Sequence, residues 1–279
     1  MSRNRLLLSF ALIVALAGAW LVVDARNPCR VERPLLPESW FAAPSAPAPI
    51  CGYRVVASYP HDPGAFIQGL QWVDGAFIEG TGLVGRSSLR RVDPVTGTIT
   101  QQIDLDPRVF GEGIVVVGER IYQLTWQDHV GYVYDRATFR LLQTWQYPTE
   151  GWGLTYDGEN LVMSDGSANL YFVDPVSLAT VGQVAVTDGG APVVRLNELE
   201  YIDGAVFANI WQTQHIVRID PATGRVLARI DFTGVLPESQ RAGADVLNGI
   251  AYAPNERRLF VTGKLWPSLF EVEVTDPTR

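Results

Sequence analysis

Lys264 is the residue whose place in the sequence most directly suggests chemistry. It ends an apolar stretch within "FVTGKLWPSLFEV", residues 260–272, between Gly263 and Trp266. The chain places few charges on its strand-like segments, so a lysine at a strand end is unusual. Such a lysine can belong to a structural ion pair, or it can be a polar anchor in a largely apolar ligand site. The elements that position it decide between these interpretations.

The overall composition is typical of a globular protein and restricts the partners. The chain has 279 residues, of which 47% are hydrophobic and 19% charged, so a large core is available. A net charge of −8 argues against nucleic acid or an anionic membrane surface as the main partner. His61, His129 and His215 are scattered, with no pair at metal-ligand spacing, and two cysteines cannot form a zinc site alone.

Residues 1–25 predict a targeting segment. Two arginines precede an apolar run at residues 6–23, and the small residues at 17–19 could be cleaved. The run is also long enough to span a bilayer, so a cleaved signal peptide and an uncleaved membrane anchor both remain open. Either interpretation predicts a periplasmic or secreted protein whose only contact with a membrane is this segment.

Residues 26–52 are rich in proline and alanine and predict an extended linker before a folded domain at 53–279. The two cysteines, Cys29 and Cys51, lie in this linker. Outside the cytoplasm disulfides persist, so a bridge between them is plausible. Two unpaired thiols are the alternative.

The folded part contains a repeated strand that ends in aspartate and is followed by a turn. The copies are "SLRRVDPVTG", "GYVYDRATF", "LYFVDPVSL" and "IVRIDPATG", and their aspartates stand 42, 39 and 46 residues apart. Apolar and polar residues alternate before each aspartate, and Asp-Pro or Thr-Gly follows, which predicts hairpins. "LFEVEVTDP" is a fifth copy.

A second series consists of short, mostly glycine-marked stretches: "FIQGLQW", "FGEGIVV", "GWGLTY", "LNELEY" and "LNGIAY". A turn and another apolar strand follow each one. Five copies of about 45 residues, each with up to four strands and almost no helical periodicity, predict an all-β, five-bladed β-propeller. The strand "YRVVASY" at 53–59 has no blade of its own, so we expect it to join the last blade and close the ring.

The repeats also predict where a site would lie. The innermost strands of a propeller line its central channel, and the glycine-marked stretches begin each repeat. They carry Gln68, Glu112, Trp152, Asn197 or Glu198, and Asn248. The strands that follow end in Glu79, Trp126, Asp165, Trp211 and Lys264. Lys264 therefore holds the position that Trp126 and Trp211 hold in other repeats, and we expect all three at one mouth of the channel. Asn248-Gly249 is interpreted as a turn outside the site.

Ordered motifs along the chain resemble one enzyme family. "HDPGAFIQGL", "FGEGI", "YQLTW", "EGWGL", "SDGS", "LNELEY", "ANIW", "LNGIAY" and "VTGKLWP" are similar to the plant and bacterial glutaminyl-peptide cyclotransferases, or glutaminyl cyclases. The similarity covers about residues 53–275. It implies a five-bladed propeller and an acyltransferase that cyclises the N-terminal glutamine of peptides to pyroglutamate with release of ammonia. The family differs from the zinc-dependent animal enzymes of the same activity. Ile67 and Gly80 depart from the expected threonine and serine, and we expect them to alter the rim of the site.

The resemblance implies roles for eight residues. Glu112 matches the family's catalytic position, and one carboxylate can serve as base and then as acid. Lys264 is the candidate donor to the oxyanion of the tetrahedral intermediate, and the amides of Gln68 and Asn197 would orient the substrate's carboxamide, with Asn197 counted among the catalytic residues. The pocket walls would be Phe66, Trp126, Trp152 and Trp211. The reaction requires no metal, redox group or other cofactor, and we expect a monomer.

Two other functions remain open from the sequence. A non-catalytic propeller could bind peptides or partner proteins with the same surface. A metal-dependent propeller lactonase would need several oxygen ligands for calcium around the axis. Four residues could nearly supply these ligands: Glu112, Asn197, Glu198 and Asn248.

Overall fold

The protein is all-β in the part of the chain that the computed structural model describes, Cys29 and residues 46–277. A single 3-10 turn, Glu238–Gln240, is the only helical element of that part. No helix in these residues is long and apolar enough to cross a membrane. The predicted targeting segment at 1–25 and most of the predicted linker lie outside the described residues.

The strands form five units, each of four strands that pair antiparallel in succession. The first three are β2 (Ile67–Val73), β3 (Ala76–Thr81), β4 (Ser88–Val92) and β5 (Ile99–Asp104); β6 (Gly111–Val117), β7 (Arg120–Thr125), β8 (Val130–Asp135) and β9 (Leu141–Gln146); and β10 (Leu154–Tyr156), β11 (Leu161–Ser164), β12 (Asn169–Val173) and β13 (Thr180–Ala185). The last two are β16 (Leu196–Ile202), β17 (Ala205–Ile210), β18 (His215–Ile219) and β19 (Val226–Asp231); and β20 (Leu247–Ala253), β21 (Arg258–Gly263), β22 (Ser268–Pro277) and β1 (Ile50–Pro60). A small ribbon of β14 (Thr187–Asp188) and β15 (Ala191–Pro192) lies between the third and fourth units.

The predicted pairing of the first strand with the last repeat is confirmed. β1 runs antiparallel to β22 along its whole length and so supplies the fourth strand of the fifth unit. It also pairs in parallel with β19 through Ile50 and Cys51, which joins the fourth and fifth units into one eight-stranded sheet. The strand begins at Ile50, three residues before the predicted start, so ordered structure extends into the segment predicted as linker.

The core is divided into five hydrophobic clusters, each between two neighbouring units. The first and second units, for example, share a cluster that contains Ile78 and Ile114, and the fifth and first units share one that contains Phe260 and Ile67. The remaining clusters fill the three other boundaries. Because each unit is buried on both faces, each contributes to two cores, and the first unit packs against the last.

The first strands of the units contact one another in a closed cycle, β2 to β6 to β10 to β16 to β20 and back to β2. Glycine allows this approach: a Cβ at Gly113 would lie 2.6 Å from the backbone nitrogen of Leu154, and one at Gly153 would lie 1.9 Å from the backbone oxygen of Asn197. These contacts explain the glycine-marked stretches of the sequence.

Glu198 stands where the other units have glycine. The matching residues in the remaining four units are Gly69, Gly113, Gly153 and Gly249. The buried carboxylate of Glu198 accepts hydrogen bonds from the backbone nitrogens of Leu70 (3.1 Å) and Ile250 (2.8 Å). This one side chain therefore reaches from the fourth unit to the first and fifth, using space that a glycine in the fourth unit would leave empty.

The aspartates of the first repeat series end the third strand of their units or directly follow it, and they organise the turn to the fourth. Asp93 accepts hydrogen bonds from the backbone nitrogens of Val95 and Thr96, and Asp174 does the same with Val176 and Ser177. Asp135 and Asp220 make the same type of turn. The hairpins predicted from these repeats are confirmed, and the aspartates are structural.

The two cysteines form a disulfide. Cys29 and Cys51 are bridged with their Cα atoms 5.7 Å apart, and both are buried against the cluster shared by the fourth and fifth units. The alternative of two unpaired thiols is wrong. The bridge fixes Cys29 to the start of β1, beside the junction of β1 with β19.

Candidate active site

A cavity of about 310 Å³ brings together all eight residues to which the family resemblance assigned roles. Four further residues, Phe110, Gln212, Asp245 and Val246, also line it. The eight predicted residues are Phe66, Gln68, Glu112, Trp126, Trp152, Asn197, Trp211 and Lys264. Every unit contributes at least one residue, and all of these residues lie at the same end of the first strands.

Bulges in the first strands position the polar residues of the site. The pairing register shifts between Ile67 and Gly69 in β2, between Gly111 and Ile114 in β6, and between Leu196 and Leu199 in β16. The residues skipped by the pairing include Gln68, Glu112 and Asn197. A bulge frees a residue from the regular alternation and redirects its side chain, and bulges are common beside active sites.

Glu112 is buried, with only 4% of its surface exposed, and its two oxygens have different surroundings. Its Oε1 accepts a hydrogen bond of 3.0 Å from the Nε2 of Gln68. Its Oε2 has no hydrogen-bond partner among the described residues. A buried polar atom without a partner is costly and calls for an explanation. In a cavity wall, the explanation that fits is a ligand that donates to it.

Gln68 is part of a short relay that holds Glu112. The Nδ2 of Asn248 donates to the Oε1 of Gln68 at 3.3 Å and to the backbone oxygen of Ile67 at 3.0 Å. Both polar atoms of the Gln68 side-chain amide thus have a protein partner, so Gln68 orients Glu112. That Gln68 also orients a substrate's carboxamide stays a prediction. Asn248, interpreted from the sequence as part of a turn outside the site, is buried within β20 and supports the site through Gln68.

Burial raises the pKa of the Glu112 carboxyl well above its usual range. The positive charge of Lys264 opposes this rise, and the negative charge of Glu150 adds to it. A carboxyl group with a raised pKa binds its proton more readily. Its carboxylate is also a stronger base, which suits a group that must accept a proton and then return it.

Lys264 occupies the predicted position equivalent to Trp126 and Trp211. Each of the three directly follows the second strand of its unit. Each also donates a backbone hydrogen bond to a backbone oxygen just before the first strand: Trp126 to Phe110, Trp211 to Arg195 and Lys264 to Val246. The first unit has Gly82 at this position, which donates to Phe66. Glu79 lies earlier in β3 and pairs instead with the buried His61 at 3.2 Å.

The ammonium group of Lys264 lies 4.7 Å from the centre of the Phe66 ring. No carboxylate of the described residues is within ion-pairing distance, 4.0 Å, of this lysine, which is itself buried. Burial lowers its pKa, and the charges of Glu112 and Asp245 oppose that effect. A cation held over an aromatic face and not in contact with an anion remains available to an incoming oxygen.

Aromatic rings form the walls of the cavity. Phe66 packs edge to face on Phe110, whose ring does the same with Trp126, at centroid distances of 6.0 and 5.7 Å. Trp152 and Trp211 meet at 5.5 Å with perpendicular rings. Such walls exclude water and strengthen electrostatic interactions within the cavity.

Asn197 is buried at the cavity wall with its Oδ1 unpartnered among the described residues. Its backbone oxygen accepts a hydrogen bond of 2.8 Å from Ser164. The backbone is thus held while the side-chain acceptor is free, which suits the donation of an N–H by a ligand.

The sequence analysis did not find four residues that line the cavity, Phe110, Gln212, Asp245 and Val246, nor Glu150, which contacts two of its tryptophans. Phe110 stands two residues before Glu112, as Phe66 stands before Gln68, so the repeat alignment contained a signal for it. Asp245 gave none. Glu150 stands at the same repeat position before Trp152, but a charged residue there predicts only a solvated turn. The structure shows its carboxylate bound by Trp126 and Trp152.

The two departures from the family pattern lie inside the protein and not at the rim, so the expectation of an altered rim is wrong. Ile67 is fully buried in the cluster between the first and fifth units. A Cβ at Gly80 would lie 2.6 Å from the Cγ2 of Ile114 and 2.8 Å from the backbone oxygen of Glu112. Both residues therefore act through packing.

Of the four oxygen donors considered for a calcium-dependent lactonase, Glu198 is already engaged by the protein. Both carboxylate oxygens of Glu198 accept backbone hydrogen bonds. In the part of the chain that the structure describes, no group of three His, Cys, Asp or Glu residues could hold a metal ion.

Comparison with known proteins agrees with these features. The family model described as glutamine cyclotransferase matches residues 35–274. The chain is 42% identical over 227 residues to a glutaminyl-peptide cyclotransferase of Arabidopsis thaliana, a match that covers 79% of this chain and 71% of the relative. The crystal structure of Myxococcus xanthus glutaminyl cyclase superposes with a TM-score of 0.77 at 38% identity, covering 82% of this chain and 99% of that one. The chain belongs to the glutamine cyclotransferase family.

Proposed function

We propose that this chain is a glutaminyl-peptide cyclotransferase that converts the N-terminal glutamine of peptides to pyroglutamate and releases ammonia. One observation carries the mechanism: Glu112 lines an aromatic-walled cavity, and its Oε2 has no hydrogen-bond partner among the described residues. Membership in the family and the similarity to the Arabidopsis and Myxococcus proteins support the activity.

The first step is ring closure. The neutral α-amine of the glutamine attacks the Cδ of its own side-chain amide, and the new N–Cδ bond produces a tetrahedral intermediate. Glu112 takes one proton from the attacking nitrogen through Oε2, while Gln68 holds Oε1. Holding the side chain bent toward the amine lowers the entropic barrier of this step.

The second step is loss of ammonia. Glu112 returns its proton to the former amide nitrogen, the Cδ–N bond breaks, and ammonia leaves as the carbonyl re-forms. One carboxylate thus serves as base and then as acid, and the proton balance closes without another group. The raised pKa of Glu112, caused mainly by burial, makes its carboxylate a stronger base for the first transfer.

Lys264 and Asn197 supply the remaining polar contacts. The Lys264 ammonium is directed at the oxyanion that develops on the former amide oxygen, where a fixed donor has its greatest effect. No carboxylate of the described residues lies within 4.0 Å of this ammonium, which supports the role. The free Oδ1 of Asn197 accepts an N–H of the substrate. Because no step uses a metal or another cofactor, we infer that the reaction is metal-independent.

The same reasoning favours a five-bladed β-propeller as the architecture. Five four-stranded units, five cores between neighbouring units and a closed cycle of first strands support it. We further infer that the protein is exported, with its catalytic domain outside the cytoplasm. The basic and apolar sequence of residues 1–25 and the Cys29–Cys51 disulfide support export.

The decisive experiment measures ammonia released from a dipeptide that begins with glutamine. The controls are the same dipeptide with an acetylated N-terminus, which removes the nucleophile, and one that begins with asparagine. We expect ammonia and a pyroglutamyl product from the first peptide only. Binding without release of ammonia would favour a peptide-binding protein, and hydrolysis of lactones that requires calcium would favour the lactonase.

A further inference from the structure

Glu150 lies in the connection between β9 and β10, and its carboxylate receives three side-chain hydrogen bonds. Its Oε2 accepts from the indole nitrogens of Trp126 (2.8 Å) and Trp152 (2.9 Å), and its Oε1 accepts from the Nε2 of Gln127 (2.9 Å). Trp126 follows β7 of the second unit, and Trp152 precedes β10 of the third. One carboxylate therefore links two walls of the cavity that belong to different units.

These hydrogen bonds complete a continuous chain of contacts around the cavity. One branch runs from Lys264 over Phe66 and Phe110 to Trp126. The other branch consists of Trp152 and Trp211. Glu150 is the contact that joins the two branches, so its removal would release both tryptophans at the same time.

The carboxylate of Glu150 is ionised in this arrangement. Burial disfavours its charge, but the hydrogen bonds from Gln127, Trp152 and Trp126 outweigh that effect, and the pKa of Glu150 is lowered. An ionised acceptor binds an indole N–H more strongly than a neutral one does. Burial is the main cause of the raised pKa of Glu112, and the positive charge of Lys264 opposes it. The negative charge of Glu150 raises this pKa further.

We propose that Glu150 is a positioning residue for cyclisation, which fixes the indole rings of Trp126 and Trp152 so that they hold the substrate's glutamine side chain in its bent, reactive form. The proposal rests on the proposed function of the cavity. Glu150 acts through the two tryptophans and through its charge, and it does not itself exchange a proton with the substrate.

Two substitutions separate these effects. Glu150→Ala removes all three hydrogen bonds, and we expect kcat/KM to fall by roughly 10²-fold, the scale on which small misplacements of a reacting group affect rate. Glu150→Gln keeps an acceptor oxygen for the indoles, so it should recover most of that loss. Because it removes the negative charge, it should also move the acid limb of the pH profile to lower pH. Glu159→Ala, at an exposed turn, is the matched control.

A double-mutant cycle tests whether Glu150 acts through the indoles. Trp126→Phe and Trp152→Phe each remove one hydrogen bond to Glu150. If the proposal is right, the losses caused by Glu150→Ala and by these variants are less than additive. Full additivity of the losses, or a kcat/KM of Glu150→Ala within twofold of wild type, would overturn it. A fall in rate matched by an equal loss of folded protein would also overturn it.

A readout that does not depend on turnover separates this proposal from the proposed function. In protein labelled with ¹⁵N-tryptophan, the indole N–H signals of Trp126 and Trp152 should shift together in Glu150→Ala and stay in place in Glu159→Ala. If both signals shift but wild-type protein releases no ammonia, the proposed function fails and the link between the walls stands. If neither signal shifts, Glu150 does not position the indoles, whatever the activity.

Discussion

Gln68 donates a hydrogen bond of 3.0 Å to the Oε1 of Glu112, and the Oε2 of Glu112 has no partner among the described residues. The carboxylate is therefore held by the protein at one oxygen and unpartnered at the other. This asymmetry lets Glu112 exchange a proton with a substrate and keep its orientation during the exchange. In the proposed mechanism, Oε2 is the atom of Glu112 that exchanges the proton with the substrate.

Glu112→Gln preserves the size of the side chain and much of its hydrogen bonding but removes the base. We expect kcat to fall by roughly 10²–10⁴, the usual contribution of general acid–base catalysis. The circular dichroism spectrum should not change. Steady-state ammonia release measures the effect, with Glu159→Gln, at an exposed turn, as the control. A folded Glu112→Gln protein with near wild-type turnover would remove Glu112 from the mechanism.

Lys264→Met keeps the apolar length of the lysine stem and deletes the ammonium. If Lys264 stabilises the oxyanion, kcat should fall by about 10²–10³, the cost of losing one such donor, and KM should change much less. If Lys264 instead belonged to a buried ion pair, the melting temperature would fall by several degrees, because breaking such a pair costs about 3–5 kcal/mol. We expect the kinetic defect, since no described carboxylate contacts this lysine within 4.0 Å. Intact kcat and intact stability together would argue against both roles.

The pH profile should depend on Lys264 with a defined sign. Glu112 must be ionised to act as the base, so the rate falls as the pH drops through its pKa, which burial raises above the ordinary value. The positive charge of Lys264 opposes that rise. In Lys264→Met the acid limb of kcat should therefore move to higher pH. A limb that stays in place, or moves to lower pH, would mean that another group controls it.

Cyclisation should continue in the presence of EDTA, because every step of the proposed mechanism uses only side chains of this chain. The measurement is the rate of ammonia release before and after prolonged dialysis against the chelator. Loss of activity on dialysis, with recovery on addition of zinc or calcium, would contradict the mechanism.

Glu200 links stability to pH. Burial raises its pKa to about 8 from an ordinary value of 4.5, despite a hydrogen bond that its Oε1 accepts from the backbone nitrogen of Tyr252. The folded state thus binds this proton more tightly than the unfolded state does. Its stabilising contribution is complete below about pH 4.5 and is lost as the pH rises through about 8.

Glu200→Gln keeps an acceptor for Tyr252 and cannot ionise, so its melting temperature should decline less than that of wild type as the pH rises through this range. Thermal unfolding at several pH values tests this, with Glu159→Gln as a variant that should follow wild type. Parallel curves for Glu200→Gln and wild type would show that Glu200 does not titrate as described.

The repeats predicted most of the fold because each of them is a local pattern. Alternation, glycine and Asp-turn signals lie within single units, and the four-stranded units follow them closely. The pairing of β1 with β22 was also predictable, because the repeat count left one strand without a unit and one unit without a strand. Lys264 was placed correctly by its alignment with Trp126 and Trp211, and its backbone contact repeats theirs.

The remaining features depend on contacts between units, which the sequence does not display. Glu150 meets Trp126 only because the second and third units pack side by side. The engagement of Gln68 by Asn248 joins the first unit to the fifth. A repeat alignment can show that two residues hold equivalent positions. It cannot show which atoms of neighbouring units come within hydrogen-bonding distance.

The pairing of β1 with β22 has a consequence for how the enzyme acquires its activity during biosynthesis. These strands lie more than 200 positions apart, as Tyr59 and Leu269 illustrate, so the contact that completes the fifth unit cannot form until the ribosome has released nearly the whole chain. Pairing across so long a separation is entropically expensive and slow. The first and last units also supply Gln68 and Lys264, so a nascent or C-terminally clipped chain would have an incomplete cavity. The enzyme would then become active in a single late step, after synthesis.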